Sequence, residues 1–329
     1  MDSEPPFQEV YKALIDQFIK ENRTSNVGAE CELPLIDLSQ LRTGKRDQER
    51  CKEQICKASK EWGFFQLINH GISSEILDQM RNEQVKAFKQ PFQRKIRGDN
   101  LKFSAGTYRW GTPTATKIGQ LCWSEAFHIP MTDVTPASDD AYNTLSSTIK
   151  SFANTVANLA QTLAEILAEK IERKPTIFRE NCLPKSCYLR LNRYPPCPLP
   201  EGIFGLMPHT DSDFLTIVDQ DQVGGLQLLR DGTWLAVKPN PEALIINVGD
   251  LLQAWSSNVY KSIEHRVVAN PMVERFSVAY FFCPSNDTEI ESASEPSIYK
   301  KFSFIEYKEQ VQKDVERLGQ KIGLQRFLQ

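Results

Sequence analysis

Apolar and polar positions fall into two regimes along the chain. From Arg46 to about Glu180 the spacing is mainly helical. Asp47 to Glu61 reads as a helix, and so does Ser73 to Lys89, where Ser73 or Ser74 is placed to cap the first turn. Between Leu145 and Ile171, residues Ile149, Phe152, Val156, Leu159, Leu163, Ile166 and Leu167 recur at steps of three and four, which predicts a long helix with one buried face. Short strands at Leu33 to Leu38 and Phe64 to Ile68 interrupt this half.

From Ser186 onward the texture becomes β-rich. Short runs bounded by turn residues predict strands at Cys187–Tyr194, Phe214–Val218, Leu226–Leu229, Trp234–Val237, Leu244–Asn247, Ser262–Ala269 and Phe276–Phe282. Gly224-Gly225 marks a turn, and Asp231-Gly232 is a hairpin signal, because both of its positions tolerate positive φ. Many short strands at regular spacing imply a sandwich or barrel, and a double-sheet jelly roll fits. A closing helix is expected from Phe304 to about Phe327. The resulting fold class is a mainly β core with helices (α+β). Residues 1–180 form a mostly helical region packing on the barrel, 181–290 the jelly-roll core and 291–329 the C-terminal helix, all in one compact unit.

Composition narrows what such a fold can do. The 329 residues are 40% hydrophobic and 25% charged, with a formal net charge of -3. An acidic balance without a basic stripe argues against nucleic-acid binding. No apolar run is long enough to cross a bilayer, and Met1 to Phe7 lacks the layout of a signal peptide. The 8 cysteines include no CxxC pair, so free thiols in a reducing cytosol are expected. These features predict a cytoplasmic protein without membrane or nucleic-acid partners.

Chemistry concentrates in the β-rich half. Of 4 histidines, His70, His128, His209 and His265, the last two lie beside turn signals. His209 and Asp211, two apart where the chain leaves a strand, can point into one cavity while Thr210 faces away. His265, on a later strand, can return to the same mouth. Two imidazoles and one carboxylate on one face make the facial triad of non-haem Fe(II) oxygenases, with positions left open for a cosubstrate and O₂. Taken alone, a His-x-Asp triplet is more often a surface loop carrying a hydrogen-bonded histidine.

The neighbouring strands sharpen the reading. Alternation puts Arg275, Ser277, Ala279 and Phe281 on one face. A guanidinium beside a hydroxyl suits the distal carboxylate of a dicarboxylate, although an ion pair with Glu264 or Asp250 would also explain Arg275. Arg190, Asn192 and Tyr194 share a face of another strand. Three successive inward polar residues are costly to bury without a ligand or a network, which favours a pocket.

Ordered blocks then accumulate: Leu33-Pro34-Leu35-Ile36-Asp37-Leu38, Glu61-Trp62-Gly63-Phe64-Phe65-Gln66, Asn69-His70-Gly71, Asn192 to Pro198, His209-Thr210-Asp211, Gly225-Leu226-Gln227, Asn247-Val248-Gly249-Asp250, His265-Arg266-Val267 and Arg275-Phe276-Ser277. Carrying these, the chain resembles the plant 2-oxoglutarate/Fe(II)-dependent dioxygenases over nearly its whole length. Within that family, Arg109-Trp110-Gly111, Trp123 to Ile129 and Tyr188 to Tyr194 are similar to gibberellin 2-oxidases of the C20-gibberellin group. Ser256-Ser257-Asn258 departs slightly from the family pattern, outside the triad.

The resemblance implies His209, Asp211 and His265 as iron ligands. Arg275 and Ser277 would bind the far carboxylate of 2-oxoglutarate, with Tyr194 and Asn192 at the end near the iron. His70 matches a family block outside the metal site and is expected to be a packed or turn-stabilising residue. The implied reaction consumes 2-oxoglutarate and O₂ as cosubstrates, with ascorbate as reductant, and inactivates a gibberellin by 2β-hydroxylation. The substrate would be a rigid diterpenoid carboxylic acid, held by Arg190 with Phe281 as an apolar wall, and Tyr108, Arg109, Trp110 and Trp123 are lid candidates that core packing or surface placement would explain equally well. Other readings are a same-family hydroxylase or desaturase acting on another plant metabolite, such as a flavonoid, and a catalytically inactive jelly-roll binding protein. The sequence leaves the oligomeric state open.

Overall fold

The computed structural model describes residues 3–21, 28–98, 106–112, 115–134, 142–199, 203–292 and 296–329. The helices in chain order are α1 (Phe7–Val10), α2 (Lys12–Glu21), α3 (Lys45–Glu61), α4 (Ser74–Phe88), α5 (Phe92–Arg97), α6 (Tyr142–Glu169), α7 (Thr176–Asn181), α8 (Asp250–Trp255) and α9 (Phe304–Leu318). The strands are β1 (Glu30–Cys31), β2 (Leu35–Asp37), β3 (Phe64–Ile68), β4 (Tyr108–Trp110), β5 (Glu125–Pro130), β6 (Tyr188–Tyr194), β7 (Phe204–His209), β8 (Leu215–Gln220), β9 (Leu226–Arg230), β10 (Thr233–Val237), β11 (Leu244–Val248), β12 (His265–Val268) and β13 (Arg275–Phe282), followed by the short pair β14 (Glu289–Ile290) and β15 (Phe302–Ser303).

Two sheets face each other as a jelly roll. The larger has 8 strands in the order β2-β3-β11-β8-β13-β6-β5-β4, and the smaller has 5 in the order β1-β10-β9-β12-β7. Strand β13 shows how the sequence specifies the layers. Phe276, Val278, Tyr280 and Phe282 face the helices, while Arg275, Ser277, Ala279 and Phe281 face the opposite sheet, and all eight are buried. Helix α6 covers the outer face of β8 and β13, and α3 and α4 pack against α6. The seven apolar residues that predicted α6, from Ile149 to Leu167, are all buried in one continuous core with these strands.

Local chemistry sets several boundaries. Ser73 accepts from Ile76 N–H and starts α4. The β9–β10 hairpin turns at Asp231 and Gly232, with φ of 50° and 76°. The closing helix ends earlier than its apolar periodicity predicts. Gly319 takes the left-handed conformation after Leu318, and the chain continues through a 3-10 turn at Gly323–Phe327.

The first half contributes more strand than expected: besides the anticipated β2 and β3, β4 and β5 are members of the larger sheet, with β5 paired to β6. All eight cysteines are free. Among the described residues, no helix is long and apolar enough to cross a membrane.

Candidate metal centre

Register brings the two histidines together. His265 on β12 lies directly across from His209 on β7, with ring centroids 4.3 Å apart. Asp211 follows two residues beyond the end of β7, and donor atoms of His209, Asp211 and His265 all lie within 4.8 Å of one another. Each imidazole is oriented by its own backbone. His209 Nδ1 sits 2.8 Å from Met207 O, and His265 Nδ1 sits 3.1 Å from Ile263 O. Donation from Nδ1 fixes the tautomer and leaves both Nε2 lone pairs facing Asp211.

The carboxylate is equally constrained. Asp211 Oδ2 accepts from Asn247 Nδ2 at 2.7 Å and from the Thr216 hydroxyl at 2.6 Å, which leaves Oδ1 without either donor, 3.6 Å from His209 Nε2. Burial works against its charge, yet the facing imidazoles and these two donors hold its pKa down, at about 2. Burial and the neighbouring His265 ring also depress His209, keeping it neutral and able to ligate. Gly249 is required by close approach. A Cβ there would lie 2.1 Å from Asp213 Oδ1 and 2.2 Å from its carbonyl oxygen, displacing the segment that carries Asp211.

A strap from the C-terminal segment holds the same loop. Lys321 Nζ donates to Thr210 O and Ser212 Oγ, each at 2.8 Å, and pairs with Asp250 Oδ2 at 2.8 Å. Thr210 and Tyr307 also donate to the Asp250 carboxylate.

Behind the triad lies a cavity of about 440 Å³ whose lining includes the three candidate ligands together with Arg275, Ser277, Tyr194, Asn192, Arg190 and Phe281. Arg275 is 3% exposed and has no carboxylate partner among the described residues; its expected alternatives, Glu264 and Asp250, do not pair with it. It donates to Gln220 Oε1 at 2.6 Å and reaches Ser277 Oγ at 3.4 Å, while its Nε and Gln220 Nε2 have no partner. A buried guanidinium with an unanswered donor requires an anion. The Tyr194 ring lies beneath it, 4.9 Å from the guanidinium carbon. Asn192 bridges Arg190 and Ser277 through bonds of 2.9 Å and 3.4 Å.

Three lid candidates lie elsewhere, with Trp110 packed edge-on against Phe7 and Phe92. Tyr108 pairs across from Phe127, on the face of β5 that turns away from the cavity, and its hydroxyl donates to Glu125 at 2.5 Å. There it joins a buried network with Lys95 and Arg193. Arg109, the fourth candidate and one position along, lines the cavity. Trp123 is 3% exposed, stacks on Phe7 at a centroid distance of 4.5 Å, and donates to Pro196 O. His70 is outside the triad, as expected, with its Nδ1 accepting from Ile72 N–H. Thr216, Asn247, Gly249 and Lys321 were not singled out as functional from sequence. The family blocks Leu215-Thr216 and Asn247-Val248-Gly249-Asp250 pointed to that region without assigning roles.

A jelly roll carrying two imidazoles, one carboxylate and an unpaired inward arginine defines a mononuclear non-haem iron oxygenase. The chain belongs to the 2OG-Fe(II) oxygenase superfamily: residues 185–284 match that family's model, and residues 33–147 match the model described as non-haem dioxygenase in morphine synthesis N-terminal. It is 56% identical to gibberellin 2-beta-dioxygenase 8 of Arabidopsis thaliana over 99% of this chain and 98% of that one. It is 47% identical to gibberellin 2-beta-dioxygenase 5 of Oryza sativa subsp. japonica, over 99% and 97%. A crystal structure of JOX2 in complex with 2OG, Fe and JA superposes with a TM-score of 0.74 at 26% identity, covering 99% of both chains. The chain is a 2-oxoglutarate-dependent dioxygenase using Fe(II).

Proposed function

We propose that this dioxygenase hydroxylates a gibberellin at C2, the 2β-hydroxylation that inactivates the hormone, with C20 gibberellins as the preferred group. The observation that carries the reading is the full-length likeness, at 56% identity, to a gibberellin 2-beta-dioxygenase. The cavity is compatible with it. Leu206, Leu226, Val267 and Phe281 supply apolar walls, and Arg190 supplies a cation for a carboxylate.

In this reading His209, Asp211 and His265 hold the iron, Arg275 and Ser277 take the far carboxylate of 2-oxoglutarate, and Asn192 and Tyr194 line its other end. Bound Fe(II) supplies the oxidation of an unactivated C–H bond, coupled to decarboxylation of 2-oxoglutarate to succinate and CO₂. The protein's own contribution is placement. Backbone carbonyls fix both imidazoles, Asn247 and Thr216 fix the carboxylate, and Arg275 sets the depth at which the cosubstrate enters. The apolar walls exclude water from the reacting carbon, and Arg190 orients the substrate relative to the metal face.

The test is incubation of the purified chain with Fe(II), ascorbate, 2-oxoglutarate and a panel of gibberellins, with product read by mass spectrometry. A 2β-hydroxylated product in step with succinate supports the assignment. Succinate released only with a different class of metabolite would move the substrate while leaving the chemistry in place.

A further inference from the structure

We propose that Arg109 and Arg190 form a two-point anion receptor in this cavity, so that the site takes an apolar polycyclic dicarboxylate and Arg109 distinguishes it from relatives bearing one anion. The proposal rests on the reading that this cavity holds the substrate.

The argument starts from the charges that line the cavity. Among the described residues, Asp211 is the only acidic one lining it, against Arg109, Arg190, Arg275 and Lys321. Lys321 is neutralised by Asp250. A ferrous ion, the Asp211 carboxylate, both carboxylates of 2-oxoglutarate and Arg275 together carry no net charge. Two guanidinium charges remain. Arg190 bonds only to the neutral amide of Asn192, and neither it nor Arg109 meets a carboxylate among the described residues. Unpaired guanidinium groups facing one cavity favour carboxylate ligands, which they can bind in bidentate fashion.

Placement gives the two cations separate starting points. Arg190 lies across from His128, whereas Arg109 lies across from Ala126, itself opposite Asn192. The two arginines therefore start two strands apart and two residues along, roughly 12 Å between Cα atoms by ordinary sheet spacings. Alanine at positions 126 and 279 keeps the floor between and beside them low. His128 feels both cations. Burial first, then the charges of Arg190, Arg109 and Lys308, lowers its pKa to about 4, so the ring is neutral. It packs on Tyr188 at 4.4 Å, and Tyr188 stacks on Phe281 at 4.3 Å, a flat apolar wall on the side of Arg190 away from Arg109. A rigid hydrocarbon frame bearing two carboxylates matches that set of groups, with Ala126 and His128 between the two cations.

The experiment is anaerobic calorimetry on the full chain loaded with Fe(II) and 2-oxoglutarate. The ligands are a C20 gibberellin with two free carboxylates, each of its two monomethyl esters, and camphorate as an alicyclic dicarboxylate. Arg109→Gln should weaken the dicarboxylate by about tenfold or more, and Arg109→Lys by less. One monoester should bind wild type and Arg109→Gln alike, because its missing anion is the one Arg109 would hold. Equal losses for the dicarboxylate and both esters, or no loss at all, would overturn the receptor, even if wild type hydroxylates the gibberellin. If gibberellins do not bind but camphorate shows the Arg109 dependence, the receptor stands and the gibberellin assignment falls. If wild type binds neither dicarboxylate, the receptor falls.

Discussion

Asn247 donates from Nδ2 to Oδ2 of Asp211 over 2.7 Å, and so decides which oxygen of that carboxylate is free to meet a metal. The Thr216 hydroxyl occupies the same oxygen. Removing one donor lets the carboxylate rotate and leaves a buried lone pair unanswered. Asn247→Ala should lower Fe(II) affinity by about 10- to 100-fold while the far-ultraviolet circular dichroism spectrum stays unchanged. Competition titration with a chromophoric chelator measures it, and wild-type affinity in the variant would refute the orienting role.

Arg275 gives a prediction with two opposite signs. Without cosubstrate it is a buried cation with an unpartnered Nε, so Arg275→Leu should leave the apo protein at least as stable as wild type. With cosubstrate the order reverses, because ligand binding stabilises only a chain that can bind it. Thermal melts with and without saturating 2-oxoglutarate should show a rise in Tm for wild type and little or none for the variant. The loss in binding should be about 2–5 kcal/mol.

Much of this site was legible before the fold, for identifiable reasons. Alternation on β6 and β13 is strict, so Arg190, Asn192, Tyr194, Arg275, Ser277 and Phe281 came out on the cavity side together. The same rule could not be applied to residues 108–130, because β4 is three residues long and Glu125, fully buried against Lys95 and Arg193, breaks the apolar pattern that would reveal β5. Periodicity therefore could not separate Arg109, which lines the cavity, from Tyr108 and Trp123, which pack away from it. Lys321 was hidden for a different reason. Its partners, Thr210, Ser212 and Asp250, are distant in sequence, and helical periodicity continues past Gly319, where the helix stops.

That strap can be tested directly. Lys321→Met keeps most of the side-chain volume and removes three contacts to the loop that carries His209 and Asp211. It also leaves the Asp250 carboxylate buried with only neutral donors, a loss of about 3–5 kcal/mol when the partner of a buried pair is deleted. Amide exchange should accelerate around residues 209–213, and Fe(II) affinity should fall. Unchanged exchange in that loop would show that Lys321 does not hold it.

Tyr108 separates the network from the cavity. Tyr108→Phe removes a hydrogen bond to the Glu125 carboxylate, which retains Lys95 and Arg193. Stability should fall by about 1.5–3 kcal/mol, as for a bond to a charged group. KM for the substrate should stay within about twofold of wild type, since removal of a hydroxyl outside the cavity leaves substrate contacts intact. A large rise in KM with unaltered stability would return Tyr108 to the substrate site.

Asp219 supplies the pH dependence. Burial raises its pKa from 3.8 to about 6, only partly offset by Arg81, which lies 3.6 Å away and is 41% exposed. The folded protein thus holds a proton there that the unfolded chain releases between these two values. The stabilising contribution is complete below the unfolded value, declines as pH rises, and is lost above the folded one. At neutral pH the ionised carboxylate costs up to about 3 kcal/mol relative to a neutral group. Asp219→Asn removes that dependence, so the variant should be more stable than wild type at pH 8, by about 1–3 kcal/mol in denaturant unfolding. The difference should shrink through pH 6 and disappear near pH 4. A gain that is the same at pH 4 and pH 8 would mean that the amide packs better and that the charge of Asp219 is not what the fold resists.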